Sequence, residues 1–274
     1  MSTRSVKAGV FLLSCFIVTS CSDNNSARPG TPAFYWAAAN ETFAAKDYVK
    51  TIEHLEKLTA DENEFTARAR PWLLVMTSGM SRGYMYLADS FEAGARANKN
   101  TPTEFRRRTN TYRGEANRLA LEFVQTFDQF QKGKDDPVPI AVPFPTGSVA
   151  PVVQLSKASA GIVLQPAEVE PAEKRALERG VLLATCEAAG APEDPAKTQE
   201  LLKTGSLKIP RAAFVTAAAA TLIDESQLYG PRKLGDREKF KIFCARALDA
   251  LKTVPETKQT KELTTKINKS LKAT

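Results

Sequence analysis

From residue 34 onward apolar side chains recur at helical spacing. Tyr48, Ile52, Leu55 and Leu58 follow one another at steps of four, three and three, so they share one helix face. Ala67 to Asn98 has a helical composition, with Pro71 suited to a first turn and Gly79-Met-Ser-Arg-Gly83 offering small residues one turn apart where another helix can approach. Phe105, Tyr112, Ala116, Leu119, Phe123, Phe127 and Phe130 then form a stripe spanning about seven turns, which reads as core. Helical spacing returns from about Pro171 to Ala189 with Gly190 as its stop. It returns again from Pro195 to Thr204, with Asp194 as N-cap and Gly205 as C-cap. Further helices are predicted from Pro210 to about Tyr229 through the Ala-rich Phe214–Ile223, from Asp236 to Lys252, and from Thr257 to Lys272. The predicted fold class is all-α.

One stretch breaks the pattern. Between 132 and 171 prolines stand at 137, 139, 143, 145, 151, 166 and 171. Proline has no N–H for a ladder, so Val138–Phe144 is an edge strand or an extended loop. A short helix from Pro151 to about Ala160, stopped by Gly161, interrupts it. Residues 132–170 are either a linker between two halves, 34–131 and 171–274, or a loop packed across the helices. Their apolar content favours packing.

The first twenty residues read differently. Arg4 and Lys7 precede an apolar run from Ala8 to Val18, the pattern of a secretory signal peptide over 1–20 and too short for a membrane span. Val18-Thr19-Ser20-Cys21 resembles the lipobox of bacterial lipoproteins. That resemblance implies that Cys21 becomes the mature N-terminus and carries a diacylglyceryl thioether and an amide-linked acyl chain, enough for firm anchoring. Residues 21–33 are then the lipidated end and a polar, breaker-rich tether. The expected location is the bacterial cell envelope, and Ser22, where an Asp would favour inner-membrane retention, points to the outer membrane facing the periplasm.

Export also redistributes the charge. The chain carries a formal +7, of which the signal removes two positive charges; residues 232–274 hold twelve basic and five acidic side chains, so the body between is slightly negative. Basicity belongs to the C-terminal end. In the last helix Leu263, Ile267 and Leu271 share one face, while Lys258, Lys261, Lys266, Lys269 and Lys272 gather on the other. This basic surface either meets acidic headgroups or an acidic partner, or is the polar outer face that ends a helical array; the second is favoured.

Phe34–Leu58 resembles a tetratricopeptide repeat, two helices meeting at a Gly-Asp-Tyr-like turn. Asp47-Tyr48 matches the turn, Ala39 and Thr51 the small crossing residues, Lys46 stands where the turn Gly is usual, and no Pro closes the unit. Lys239–Leu251 followed by Pro255 is similar to the second helix of such a unit. The resemblance implies an array of antiparallel helical hairpins whose inner groove is lined by Trp36, Asn40 and Phe43, an aromatic wall with an amide for a peptide backbone. The alternative is that Trp36 and Phe43 pack against the next hairpin.

Catalytic chemistry is sparse. His54 is the lone histidine, off the apolar stripe, and there is no phosphate-binding Gly loop, His-Glu-x-x-His or Cys-x-x-Cys. No catalytic residue, metal site or cofactor is assigned. A pair of distant carboxylates of the glycosidase kind would leave no motif. Cys186 and Cys244 are either paired in an oxidising compartment or buried free thiols, the latter favoured. Arg106-Arg-Arg108 with Tyr112 and Arg113 would suit nucleic acid, but export argues against that partner. The expected function is a membrane-anchored, non-catalytic scaffold or adaptor for an envelope protein. The alternative is a small-molecule-binding accessory lipoprotein: Tyr229-Gly-Pro-Arg-Lys-Leu-Gly-Asp236 resembles a late loop of the T component of tripartite ATP-independent transporters.

Overall fold

The computed structural model of the chain describes residues 28–205 and 207–273. The expected signal peptide and Cys21 lie outside the described residues. Ten helices are present among those described, α1 (Pro32–Ala44), α2 (Tyr48–Thr59), α3 (Thr66–Ala97), α4 (Pro102–Lys132), α5 (Val153–Ser159), α6 (Pro166–Ala188), α7 (Pro195–Leu202), α8 (Arg211–Ser226), α9 (Arg237–Lys252) and α10 (Lys258–Ala273). Two three-residue strands, β1 (Val138–Ile140) and β2 (Leu207–Ile209), and a single 3-10 turn (Gln227–Tyr229) complete the elements among the described residues. The fold is all-α.

Helix α3 is the axis. Every residue from Pro71 to Ser81 is buried, because α2, α4, α6, α8 and β1 pack around it. A helix covered on all sides needs no apolar stripe, which is why its sequence shows composition rather than periodicity. Closest approach comes where the small residues stand. A Cβ on Gly180 of α6 would lie 2.1 Å from the Gly79 carbonyl oxygen, and one on Gly83 would lie 2.9 Å from the Ala176 carbonyl oxygen. Backbone meets backbone there, so only glycine fits.

Helices α1 and α2 form the first hairpin. Asp47 Oδ1 accepts from Lys50 N–H at 3.2 Å and caps α2, while the Thr42 and Thr51 hydroxyls meet at 3.1 Å across the pair. Lys46 adopts a left-handed φ of 61°, the conformation for which glycine is usual at this turn, and its ammonium reaches Glu178 of α6 at 3.0 Å. The next helices, α3 and α4, run 32 and 31 residues against 13 and 12 for α1 and α2.

The Pro-rich segment is packed, not free. β1 pairs antiparallel with β2, Val138 opposite Ile209 and Ile140 opposite Leu207, and Val138, Ile140 and Val142 are buried in a core that runs from Ala39 of α1 to Ile267 of α10. One core therefore joins both halves of the chain. A second apolar cluster at the far end of α3 gathers Phe91, Phe105, Tyr112, Leu155 and Val169 from α3, α4, α5 and α6. The stripe on α4 is buried throughout, as its periodicity predicts.

Some boundaries differ from the sequence reading. Helix α6 begins at Pro166, five residues before Pro171, because Pro166 fits the first turn and the Glu168 carboxylate accepts from the Gln165 N–H at 2.9 Å. Pro171 and Pro71 instead lie in second turns, each at the cost of one helical hydrogen bond. Strand β2 is not anticipated by the sequence, since three residues carry too little alternation to see. His54, off the apolar stripe in the sequence, is nonetheless half-buried with its ring 6.2 Å from Tyr35.

Candidate functional site

The hairpin α1–α2 and the start of α3 set out an aromatic cluster. Trp36 stacks on Phe65 with centroids 5.4 Å apart and meets Trp72 edge-on at 5.4 Å; Phe43 meets Trp72 at 5.6 Å. Over this cluster lies the Arg68 guanidinium, 5.0 Å from the Trp36 ring and 5.3 Å from Phe65. Such stacking holds the planar fork in place and is worth ~0.5–1 kcal/mol at a partly exposed site.

Arg68, Trp36 and Asn40 form one wall of a cleft of about 450 Å³. The extended Ala141–Pro143 forms another, and Leu202 with the Thr204–Gly205 turn closes it. The Asn40 Nδ2 donates to the Trp36 carbonyl at 2.8 Å, which leaves its side-chain oxygen as an acceptor. Two of the three residues assigned to a groove from sequence are thus at a cleft. The third, Phe43, is not: it is 4% exposed, covered by Trp72 and Tyr48 in the core. It shares the helix face of Trp36 but lies two turns along, where α3 closes over it.

A second polar centre sits at mid-length of α3. Arg82 donates both terminal nitrogens to Glu187 of α6, at 2.8 Å each. Burial alone would lower the Arg82 pKa, but the hydrogen bond and charge of Glu187, with Asp224 and Glu225 nearby, raise it overall. Glu225 of α8 is 3% exposed, and its Oε2 lies 2.7 Å from the Ser81 hydroxyl. That hydroxyl also lies 3.3 Å from the Ala116 carbonyl, and it has one proton for two acceptors. The proton goes to Glu225 Oε2, the closer acceptor, and the Ala116 carbonyl is the longer alternative. Burial pushes the Glu225 pKa up to about 8, against the downward pull of Ser81 and of the Arg82 charge. The Tyr229 hydroxyl, whose pKa is raised by burial and then by Glu225, is buried with no hydrogen-bond partner among the described residues.

Glu122 of α4 resembles Glu225 in direction. Burial and then the neighbouring Glu56 push its pKa up to about 8, opposed by Arg118 at 3.5 Å.

The remaining sequence candidates are accounted for individually. Cys186 in α6 and Cys244 in α9 are free, fully buried thiols whose pKa values burial raises, so neither is a poised nucleophile. The Arg106–Arg108 run is partly neutralised: Arg107 and Arg108 pair with Glu104, Arg113 pairs with Glu92 at 2.6 Å, and Tyr112 donates to Glu173. On α10 the lysines are exposed while Ile267 is fully buried; Lys258 pairs with Glu262, Lys261 with Glu256 and Lys266 with Asp224. Lys269 and Lys272 make no ion pair among the described residues. Those residues hold no cluster of three metal-ligating side chains, and no described helix is long and apolar enough to cross a membrane.

Sequence reasoning missed Arg68, the Arg82–Glu187 clamp and Glu225. The clamp joins residues 105 apart, and Glu225 reads as an ordinary polar helix position. Arg68 left one weak signal, a cation in a helix start that contains no acid. Comparison of the chain with family models, curated proteins and solved structures finds no match.

Proposed function

We propose that this chain is an exported, lipid-anchored helical scaffold that holds a segment of an envelope protein in the cleft between Trp36, Arg68 and the Ala141–Pro143 chain. The observation that carries the reading is that cleft, an aromatic wall with a fixed cation and a free amide oxygen beside it. Cys21 supplies the anchor to the outer membrane, and residues 21–33 the tether that lets the helical body face the periplasm. The tetratricopeptide-like first hairpin supplies the wall; its turn, with Lys46 left-handed, has the backbone shape that such units build with glycine. Chemistry is not part of the proposal, since the buried carboxylates serve packing joints and the thiols are inert.

A second reading, the binding of a small molecule for a transporter, has its own support. A groove of about 710 Å³ lies between the end of α6, one face of α8 and the α9–α10 loop, walled largely by Ala and Pro residues. Its carboxylate, Glu187, is already engaged by Arg82, so any ligand there would be uncharged.

Two measurements test the first reading. Palmitate labelling of the wild type and of Cys21→Ser examines the anchor: labelling that persists in the variant removes it. In-cell photocrosslinking from a benzophenone side chain at position 40, with position 241 on exposed α9 surface as control, should give one discrete protein adduct at 40 alone. Equal, diffuse adducts at both positions would sink the scaffold reading.

A further inference from the structure

Among the described residues, four arginines are stacked on aromatic rings. Arg108 lies over Phe91 and pairs with Glu104; Arg179 lies over Tyr86 and donates to the Val149 carbonyl at 2.8 Å; Arg211 lies over Phe130 and donates to that residue's own carbonyl at 3.0 Å. Arg68 is the exception. It is stacked on Trp36 and Phe65, yet among the described residues it makes no ion pair and no side-chain hydrogen bond. Its guanidinium lines a cleft in which it is the one charged wall residue.

We infer that Arg68 is the receptor for a carboxylate, and that the segment held in the cleft is an extended acidic peptide. The inference rests on the scaffold reading and names the chemistry of its partner. Three features select the occupant. A guanidinium fixed by stacking offers two parallel N–H donors that match a planar carboxylate, and its ordering cost is met before the ligand arrives. A doubly charged phosphate would call for a second cation, and the cleft wall has none. Arg68 is the third residue of α3, at the positive end of the helix, with no acidic side chain in that turn. Placing a cation there works against the helix dipole, and an incoming anion relieves both charges together.

The remaining walls favour a peptide over a lone acid. The Asn40 oxygen accepts a backbone N–H, while Trp36 and Pro143 give apolar surface for the side chain next to the carboxylate. At about 450 Å³ the cleft accommodates a few residues in extended form.

Both tryptophans of the chain, Trp36 and Trp72, lie in this cluster, so their emission reports occupancy. The full chain in detergent is titrated with capped hexapeptides alternating Leu with Glu or Leu with Gln. A saturable emission change with the Glu peptide is expected, at least tenfold tighter than with the Gln peptide and weakening as salt rises. Arg68→Gln should abolish that preference and Arg68→Lys should retain part of it, with unchanged urea midpoints showing that both variants fold. Equal affinity for the two peptides overturns the carboxylate assignment but leaves the scaffold reading intact if position 40 still crosslinks to one partner. Absence of saturable binding by either peptide at millimolar concentration also overturns it. So does an emission change that follows protein concentration alone, because the cleft would then be filled by a second copy.

Discussion

Two arginines on α3, fourteen residues apart, show opposite solutions to the same problem. Arg82 is clamped by both oxygens of Glu187 and lies among Asp224, Glu225 and Ser81, so its charge is answered within the fold. Arg68 is held as firmly, but by rings, and its charge is left unanswered. A buried or half-buried cation matched by its own protein is a joint. One that is ordered and unmatched is available to something else.

The largest expected effect comes from breaking the joint's geometry. Glu187 is brought to Arg82 because α6 touches α3 at Gly79 and Gly180 one and two turns away. Gly180→Ala puts a methyl group into the Gly79 backbone and should lower stability by ~3 kcal/mol, read as a fall in urea midpoint. Gly114→Ala on α4, where nothing lies within 4 Å, should instead gain up to ~1 kcal/mol. A Gly180→Ala protein as stable as the wild type would show that the helices do not meet there.

Next in size is the proton on Glu225. Its pKa rises from 4.5 to about 8 on folding, so between those values the folded chain holds a proton that the unfolded chain has lost. Its contribution is complete below pH 4.5 and disappears as pH climbs toward 8, and stability falls across that window. Glu225→Gln keeps an acceptor for the Ser81 hydroxyl and removes the titration. At pH 8 it should exceed the wild type by on the order of 2 kcal/mol, and the advantage should close by pH 5. Glu122 slopes in the same direction, which is why the difference between variant and wild type is the quantity to follow. An advantage that does not depend on pH would mean that Glu225 is ionised throughout.

The clamp itself comes third. Arg82→Ala leaves a partly buried Glu187 without its partner, and since both side chains are about a quarter to a third exposed, a loss of ~1–2 kcal/mol is expected. Adding Glu187→Gln should recover part of it, because the stranded carboxylate goes with it. Strict additivity of the two substitutions would deny the joint.

The difference between these regions also explains what the sequence disclosed. The α4 stripe, the Gly79–Gly83 step and the capping aspartates at 47, 194 and 236 are local patterns, fixed within a few residues, and they predict the helices well. The register of the first hairpin alone puts Trp36 and Asn40 on one helix face, and both line the cleft. The burial of Phe43 depends on Trp72, which reaches it only through the fold. Glu187, Glu225 and β2 acquire their roles from partners far along the chain, and no short window contains both members of such a pair. Arg68 lies between these cases: its ring partner Phe65 is local, whereas Trp36 and the wall at 141–143 come from elsewhere.

The smallest effect is the sharpest test of the contrast. Arg68→Gln removes a stacked cation worth ~0.5–1 kcal/mol, but it also removes a positive charge from the positive end of α3, where an unfavourable ~0.3–1 kcal/mol is relieved. The two nearly cancel, so the midpoint of unfolding should move by less than ~0.5 kcal/mol, while Arg82→Gln should cost clearly more. Salt separates the two sites further. Raising ionic strength weakens the helix-end repulsion and should bring wild type and Arg68→Gln closer together, but it scarcely reaches the Arg82 clamp with its direct hydrogen bonds. If Arg68→Gln proves as costly as Arg82→Gln, then Arg68 is a second joint, its charge answered by the fold, and the cleft beside it has lost the reason to expect an acidic guest.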